Sequence, residues 1–226
     1  MDTSGNSSFH SLQAELRLRR SKYVQFGSSF TYGHAIDTAS DFFDLAGSYA
    51  LPQNSQVNAE RASASYDSRL RSVTHFLTTI PKPNRWIGEW QIAGIYEAQS
   101  GQPFTINSVV DSNRDGNLTD RPDMWPVACP SNQCKPGEGL NAKGGDGIVG
   151  RNTVRAQGIN NLDVVASRRQ PFGERASLLF RLEVYNILNN AQYGIPARLF
   201  DAPGFLQPHS LLVPPRTTQI ALKLVF

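Results

Sequence analysis

Residues Arg216 to Phe226 read R-T-T-Q-I-A-L-K-L-V-F. Counting back in twos from the end gives Phe226, Leu224, Leu222, Ile220 and Thr218 on one side. The other side carries Val225, Lys223, Ala221, Gln219 and Thr217. Side chains of a strand alternate between its two faces. The pattern therefore predicts a strand that is apolar on one face and mostly polar on the other. A length of about ten residues also lets a tilted strand cross a bilayer. An amphipathic strand at the end of a soluble sandwich would look the same, so the rest of the chain decides.

Six more stretches carry related patterns. Leu12, Ala14, Leu16 and Leu18 alternate with Gln13, Glu15, Arg17 and Arg19 across Ser8–Arg19. After a reversal at Ser21-Lys22, Val24, Phe26, Phe30 and Tyr32 alternate with polar or small residues over Tyr23–His34, which predicts a hairpin. A third strand is expected over Arg61–Thr79, where neither side is clearly the apolar one. A fourth starts at Glu89, with Trp90, Ile92, Gly94, Tyr96 and Ala98 on one face. It is expected to run past Ser100-Gly101 to Ile106, interrupted at Pro103. Asn161–Arg169 form the fifth, and Pro171-Phe172-Gly173-Glu174 turns the chain. Leu178, Phe180, Leu182 and Val184 define the sixth. Short connections at 20–22, 81–88 and 170–175 alternate with long ones at 37–59, 107–158 and 189–215. Transmembrane barrels have short periplasmic turns and long outer loops in that order, whereas a sandwich has no reason to put every long loop at one end. On this polarity Trp86, Trp90, Phe172 and Phe226 gather at the periplasmic edge, as an interfacial girdle would. The predicted fold class is all-β, a partial antiparallel up-and-down transmembrane β-barrel of about seven strands with long extracellular loops. Leu178, Phe180, Leu182, Leu222 and Leu224 are expected to face lipid.

Composition agrees with this. Hydrophobic residues make up 39% of 226, and the mean hydropathy is −0.37. No apolar run approaches the roughly eighteen residues of a membrane helix, but barrel strands spread their apolar residues. The net charge of +3 comes from scattered basic residues, with short groups at 17–20 and 168–169. No nucleic-acid partner is read from it. Cys129 and Cys134 lie close together in a Pro/Gly-rich stretch and suggest a small disulfide loop and an oxidising compartment. Met1 is followed by D-T-S-G-N-S-S, without the charged-then-apolar pattern of an export signal, so the true start is expected upstream.

The closing Phe226, preceded at alternate positions by Leu224, Leu222 and Ile220, resembles the carboxy-terminal signal of bacterial outer-membrane β-barrels, which implies recognition by the barrel-assembly machinery. Further motifs resemble the TonB-dependent outer-membrane receptors, closest to the Oar-like, carboxypeptidase-regulatory-domain branch. Ser100-Gly101-Gln102-Pro103-Phe104 is similar to S-G-x-P-F. Asp111-Ser112-Asn113-Arg114-Asp115-Gly116 with Asp120-Arg121-Pro122 is similar to D-x-N-x-D-G…D-R-P. Gly150-Arg151-Asn152 is similar to G-R-N, and residues 181–189 are similar to R-x-E-x-(F/Y)-N-x-x-N. Asp67-Ser68-Arg69-Leu70-Arg71 resembles D-x-R-H-R with Leu70 in place of His. The resemblance implies uptake of a large or scarce solute, energised through TonB. It implies a barrel of about 22 strands with a plugged lumen. Residues 1–226 then read as a single carboxy-terminal portion, the last third of such a barrel. No plug domain, TonB-contacting segment, regulatory domain or signal peptide is recognised. The partners expected are outer-membrane lipid, the remaining barrel and plug, and TonB only through parts outside this stretch.

For chemistry, Asp111, Asn113, Asp115 and Asn117 match the first half of a calcium loop in which Gly116 gives the sharp turn. Position twelve is Pro122 rather than Glu, so Asp120 or Asp123 would have to complete a Ca²⁺ site. An Asx-rich solvated turn accounts for the same residues. Gly145-Asp146-Gly147-Ile148-Val149-Gly150 fits G-x-G-x-x-G but lacks the flanking strand and helix of a dinucleotide site. No nucleophile, base or zinc spacing stands out, so the chain is read as a non-enzyme. The other reading is a secreted calcium-binding β-sandwich with a binding or adhesive role.

Overall fold

The computed structural model describes residues 5–21, 23–40, 60–81, 89–114, 116, 118, 120–124, 135–140, 147–173 and 175–226. Among them the regular elements are all strands. Seven long ones form a single sheet: β1 (Ser7–Ser21), β2 (Val24–Asp37), β4 (Leu70–Ile80), β5 (Glu89–Gln99), β8 (Ile159–Phe172), β9 (Ala176–Tyr185) and β12 (Thr217–Val225). The short β3 (Ala62–Ser63) adds to β2, β6 (Pro103–Phe104) pairs with β7 (Val154–Arg155), and β10 (Gln192–Tyr193) pairs with β11 (Leu211–Val213). Each long strand is antiparallel to the long strand before it, which is an up-and-down meander. The sheet is open, with β1 and β12 as its edges.

The register sorts side chains into two continuous faces, because directly opposed residues in an antiparallel ladder point the same way. Leu224, Leu222 and Ile220 oppose Leu178, Phe180 and Leu182. Leu182 in turn opposes Ala166, Ala166 opposes Ile92, and Ile92 opposes Thr78. The row beside it runs Val184–Val164–Gly94–Phe76–Phe26–Leu18. Most exposed large hydrophobics of the long strands lie on this apolar face; Phe9, Ile95, Tyr185 and Val225 lie on the other. That other face carries the ion pairs Arg17–Glu15 at 2.5 Å, Arg71–Glu97 at 3.0 Å and Arg181–Glu183 at 2.5 Å.

Strand β4 has no apolar side in its own sequence, and the ladder assigns one. Phe76 sits opposite both Phe26 and Gly94, and its ring occupies the space a Cβ on Gly94 would need. Ser72, Thr74 and Thr78 go with it to the apolar face. Thr74 meets Ser28 there, hydroxyl to hydroxyl at 2.9 Å, so these polar atoms satisfy each other.

Three expectations need correcting. The third strand does not run unbroken over Arg61–Thr79, because the chain folds at Ala64–Asp67, where the Asp67 N–H donates to the Ala64 carbonyl. The fourth does not continue to Ile106. It stops at Gln99, and Pro103, with no N–H to give a central ladder, joins the separate β6–β7 pair. The turn after the fifth strand is tighter than expected: Pro171 and Phe172 still belong to β8, and Gly173 reverses the chain at φ +66°. At the short-turn end Trp90 meets Phe180 edge-on at 6.0 Å, and the Arg168 guanidinium lies 5.8 Å from the Trp90 ring centre. Phe172 and Phe226 are exposed there, while Trp86 lies outside the described residues.

Candidate functional site

The buried apolar cluster is in the loops rather than in the sheet. Phe104, Ile106 and Phe200 form it, with Leu140, Val154, Ala156, Ile195 and Phe205 packed around. These residues come from the β5–β8 and β9–β12 connections, so the long loops join into one cap. The backbone stitches them together: Asn107 N–H donates to the Arg198 carbonyl at 3.1 Å, and Phe200 N–H to the Asn107 carbonyl at 3.0 Å.

Buried polar side chains lock this cap. Asp201, 1% exposed, accepts from the Ser108 hydroxyl at 2.5 Å, the Val109 N–H at 2.8 Å and the Gly137 N–H at 2.9 Å. Three donors suffice to hold a carboxylate away from water. Arg151 reaches the Asp37 carboxylate and carbonyl, the Ser40 hydroxyl and the Glu60 carbonyl, tying this cap to the β2–β4 connection. Asn152, at φ +55°, donates to the Ser63 carbonyl at 2.7 Å and accepts from Thr105 at 3.1 Å. Asp67 accepts from the Ala35 N–H at 2.9 Å and pairs with Arg155 at 2.5 Å. Arg121 pairs with Glu60 at 2.5 Å, both buried. Asn186, at φ +49°, donates to the Asn190 and Pro214 carbonyls and accepts from the Asn190 N–H. The sequence motifs at 67–71, 100–104, 120–122, 150–152 and 181–189 therefore share one structural role, since each supplies residues that fasten the cap or its attachment to the sheet.

Gly101 shows the tightest fit. A Cβ there would overlap the Ala156 carbonyl, a backbone atom that cannot swing aside. Ala156 N–H donates to the Gln102 carbonyl at 2.9 Å and Arg155 to the Gly101 carbonyl at 3.0 Å, so the strap is held from both sides. Gly101→Ala is expected to destabilise the cap by about 1–3 kcal/mol through forced backbone displacement. Limited proteolysis of the membrane-inserted protein should show faster cleavage in the 107–158 loop, with the sheet intact. Unchanged cleavage would mean that the strap yields without cost.

Of the proposed calcium ligands, Asp111 accepts the Gly116 N–H at 3.0 Å, with Gly116 at φ +88°, and buried Asp120 accepts the Ser112 N–H at 2.5 Å. Asn113 is half-buried, and Asp115 and Asn117 lie outside the described residues. Among the described residues no three His, Cys, Asp or Glu are gathered as a metal set. Cys129 and Cys134 also lie outside the described residues. Ile220, Leu222 and Leu224 share the apolar face of edge strand β12, and Phe226 beyond it is 97% exposed.

A family model described as an outer membrane beta barrel domain matches residues 1–219. The chain belongs to that family. Comparison with curated proteins and with solved structures returned no match. As an outer membrane beta barrel domain, the chain is a protein of the bacterial outer membrane. Its long strands form one sheet rather than the two of a sandwich, so the secreted-sandwich alternative gives way. In this family the long-connection end is the extracellular one, which puts the cap outside the cell. Sequence reading missed Asp37, Glu60, Arg155, Gln192 and Asp201. Gln192, for instance, accepts the Asn160 N–H and donates to its carbonyl, standing in for a strand where β8 outruns β9. The only signal in the sequence was an isolated polar residue within a loop.

Proposed function

We propose that this domain forms part of a TonB-dependent receptor-like barrel that takes up a solute across the outer membrane. The apolar face meets lipid, and the face with Arg71–Glu97 and Arg181–Glu183 lines the interior. The observation that carries the reading is the convergence of the receptor-like motifs on one fastened extracellular cap, which suits a binding and gating surface above a lumen. Two measurements on the whole gene product in cells test it. Cysteines at Ile220 and Leu222 should react with a membrane-soluble maleimide, and cysteines at Gln219 and Ala221 with a water-soluble one. The reverse pattern would sink the assignment of faces. Photo-crosslinking should also yield an adduct with TonB. If no adduct forms while a known receptor in the same cells gives one, the TonB-dependent reading fails and family membership stands.

The 111–120 stretch enters the proposal as a weak calcium site of the cap. Gathered around one site, its carboxylates would repel one another without a cation, and without Glu at position twelve the dissociation constant should be about 10⁻⁴–10⁻³ M. Calorimetric titration with Asp115→Ala as control measures this. Equal calcium heats for both proteins would reduce the motif to a polar turn.

A further inference from the structure

On the apolar face of the seven long strands no carboxylate is present among the described residues, yet its extracellular end is strongly basic. His10 and His34 are directly opposed across β1 and β2. Ser8, Ile36 and Ser63 form the next row outward, across β1, β2 and β3. The Ser63 hydroxyl lies 3.0 Å from His34 Nε2, and the Arg69 guanidinium donates to the same nitrogen at 3.2 Å. Arg61 reaches over the row to the Ser8 hydroxyl at 3.5 Å. Two guanidiniums, from Arg61 and Arg69 beside the strands, thus reach the imidazoles and hydroxyls of two adjacent rows of this face.

Among the described residues, the neighbouring carboxylates are engaged mainly by other cations. Asp37, Glu60 and Asp67 are buried and held by Arg151, Arg121 and Arg155. Arg69 stands 3.7 Å from Asp67, at the longer of that residue's two pairings, and its side chain is 44% exposed. Directly below the cluster the face turns apolar and exposed, with Leu12, Tyr32 and Leu70 in one row. Cations above and acyl-compatible surface beneath is the arrangement that fits a lipid whose headgroup carries phosphate.

We propose that Arg61, Arg69 and His10 bind the phosphate of a phosphorylated lipid in the outer leaflet, with His34 holding the Arg69 guanidinium in place and the acyl chains laid along Leu12, Tyr32 and Leu70. The proposal rests on the reading that this face meets lipid. Guanidinium suits such a headgroup because its planar fork matches phosphate oxygens two at a time. Commitment to a lipid rather than free phosphate follows from the apolar row beneath.

The test uses the whole gene product in phosphatidylcholine nanodiscs containing bisphosphorylated lipid A, its dephosphorylated form, or neither. Lipid retained after mild extraction is counted by native mass spectrometry. The native protein should retain bisphosphorylated lipid A over the dephosphorylated form. Arg61→Gln/Arg69→Gln should lower that retention roughly tenfold or more. Arg61→Gln alone, at an exposed side chain, keeps the test valid if the double variant fails to assemble, and should give a smaller loss in the same direction. Arg168→Gln, at the opposite end of the face, should change nothing. Equal retention by native and variant proteins, or displacement by inorganic phosphate as effective as by the lipid, overturns the proposal. Labelling of the Ile220 and Leu222 cysteines in the same nanodiscs separates the two readings. Lipid-side labelling without selective retention sinks only this proposal, whereas water-side labelling sinks the underlying assignment with it.

Discussion

Arg121→Met is expected to destabilise the extracellular cap by about 3–5 kcal/mol, because it leaves Glu60 as a buried charge without a partner. Arg121 is 6% exposed and Glu60 3%, and their 2.5 Å contact joins the β5–β8 connection to the β2–β4 connection. Burying such a pair costs desolvation on both sides, so its net worth is small while the loss of one member is large. The double variant Arg121→Met/Glu60→Gln should therefore recover much of the loss, since no full charge is then stranded. Amide hydrogen exchange on the membrane-inserted protein measures the effect where it arises. Cap amides around Ser108 and Asn152 should exchange faster, while those of β9 and β12 stay protected, because the cap can open without the sheet. A single variant with native exchange throughout would show that water already reaches Glu60.

Leu182→Arg is the second large effect, about 2–4 kcal/mol if the residue lies near the bilayer midplane. Leu182 is flanked by Ala166 and Ile220, so its lateral neighbours offer no acceptor for a guanidinium. Gln219→Arg, one residue from Ile220 but on the polar face, should stay within about 0.5 kcal/mol. Urea unfolding of the protein in lipid vesicles compares the two. Equal penalties would mean that both faces meet the same solvent, which contradicts the proposed orientation. Arg168 does not weaken this expectation. It shares the apolar face but lies at the short-turn end beside Trp90, where a long cationic side chain can reach headgroup water.

Alternation in six stretches, together with the turn residues and the lengths of the connections, was enough to predict seven strands in an up-and-down arrangement with the long loops grouped at one end. Face assignment in β5, β9 and β12 was equally legible, since period-two patterning depends only on residues two apart. The receptor-like motifs were legible as motifs, but their structural role was not. Pattern could not place the apolar side of β4, because Ser72, Thr74 and Thr78 look polar in isolation. Only their ladder to Phe26, Ser28 and Gly94 settles which way they point. The cap lies even further from local reading. Arg151 meets Asp37 across 114 residues, Asp201 meets Val109 across 92, and Arg121 meets Glu60 across 61. A buried carboxylate in a loop is indistinguishable from a solvated one until its distant donors are in place. Strands declare themselves through neighbouring residues, whereas a loop cap is made by partners that only the closed chain brings together.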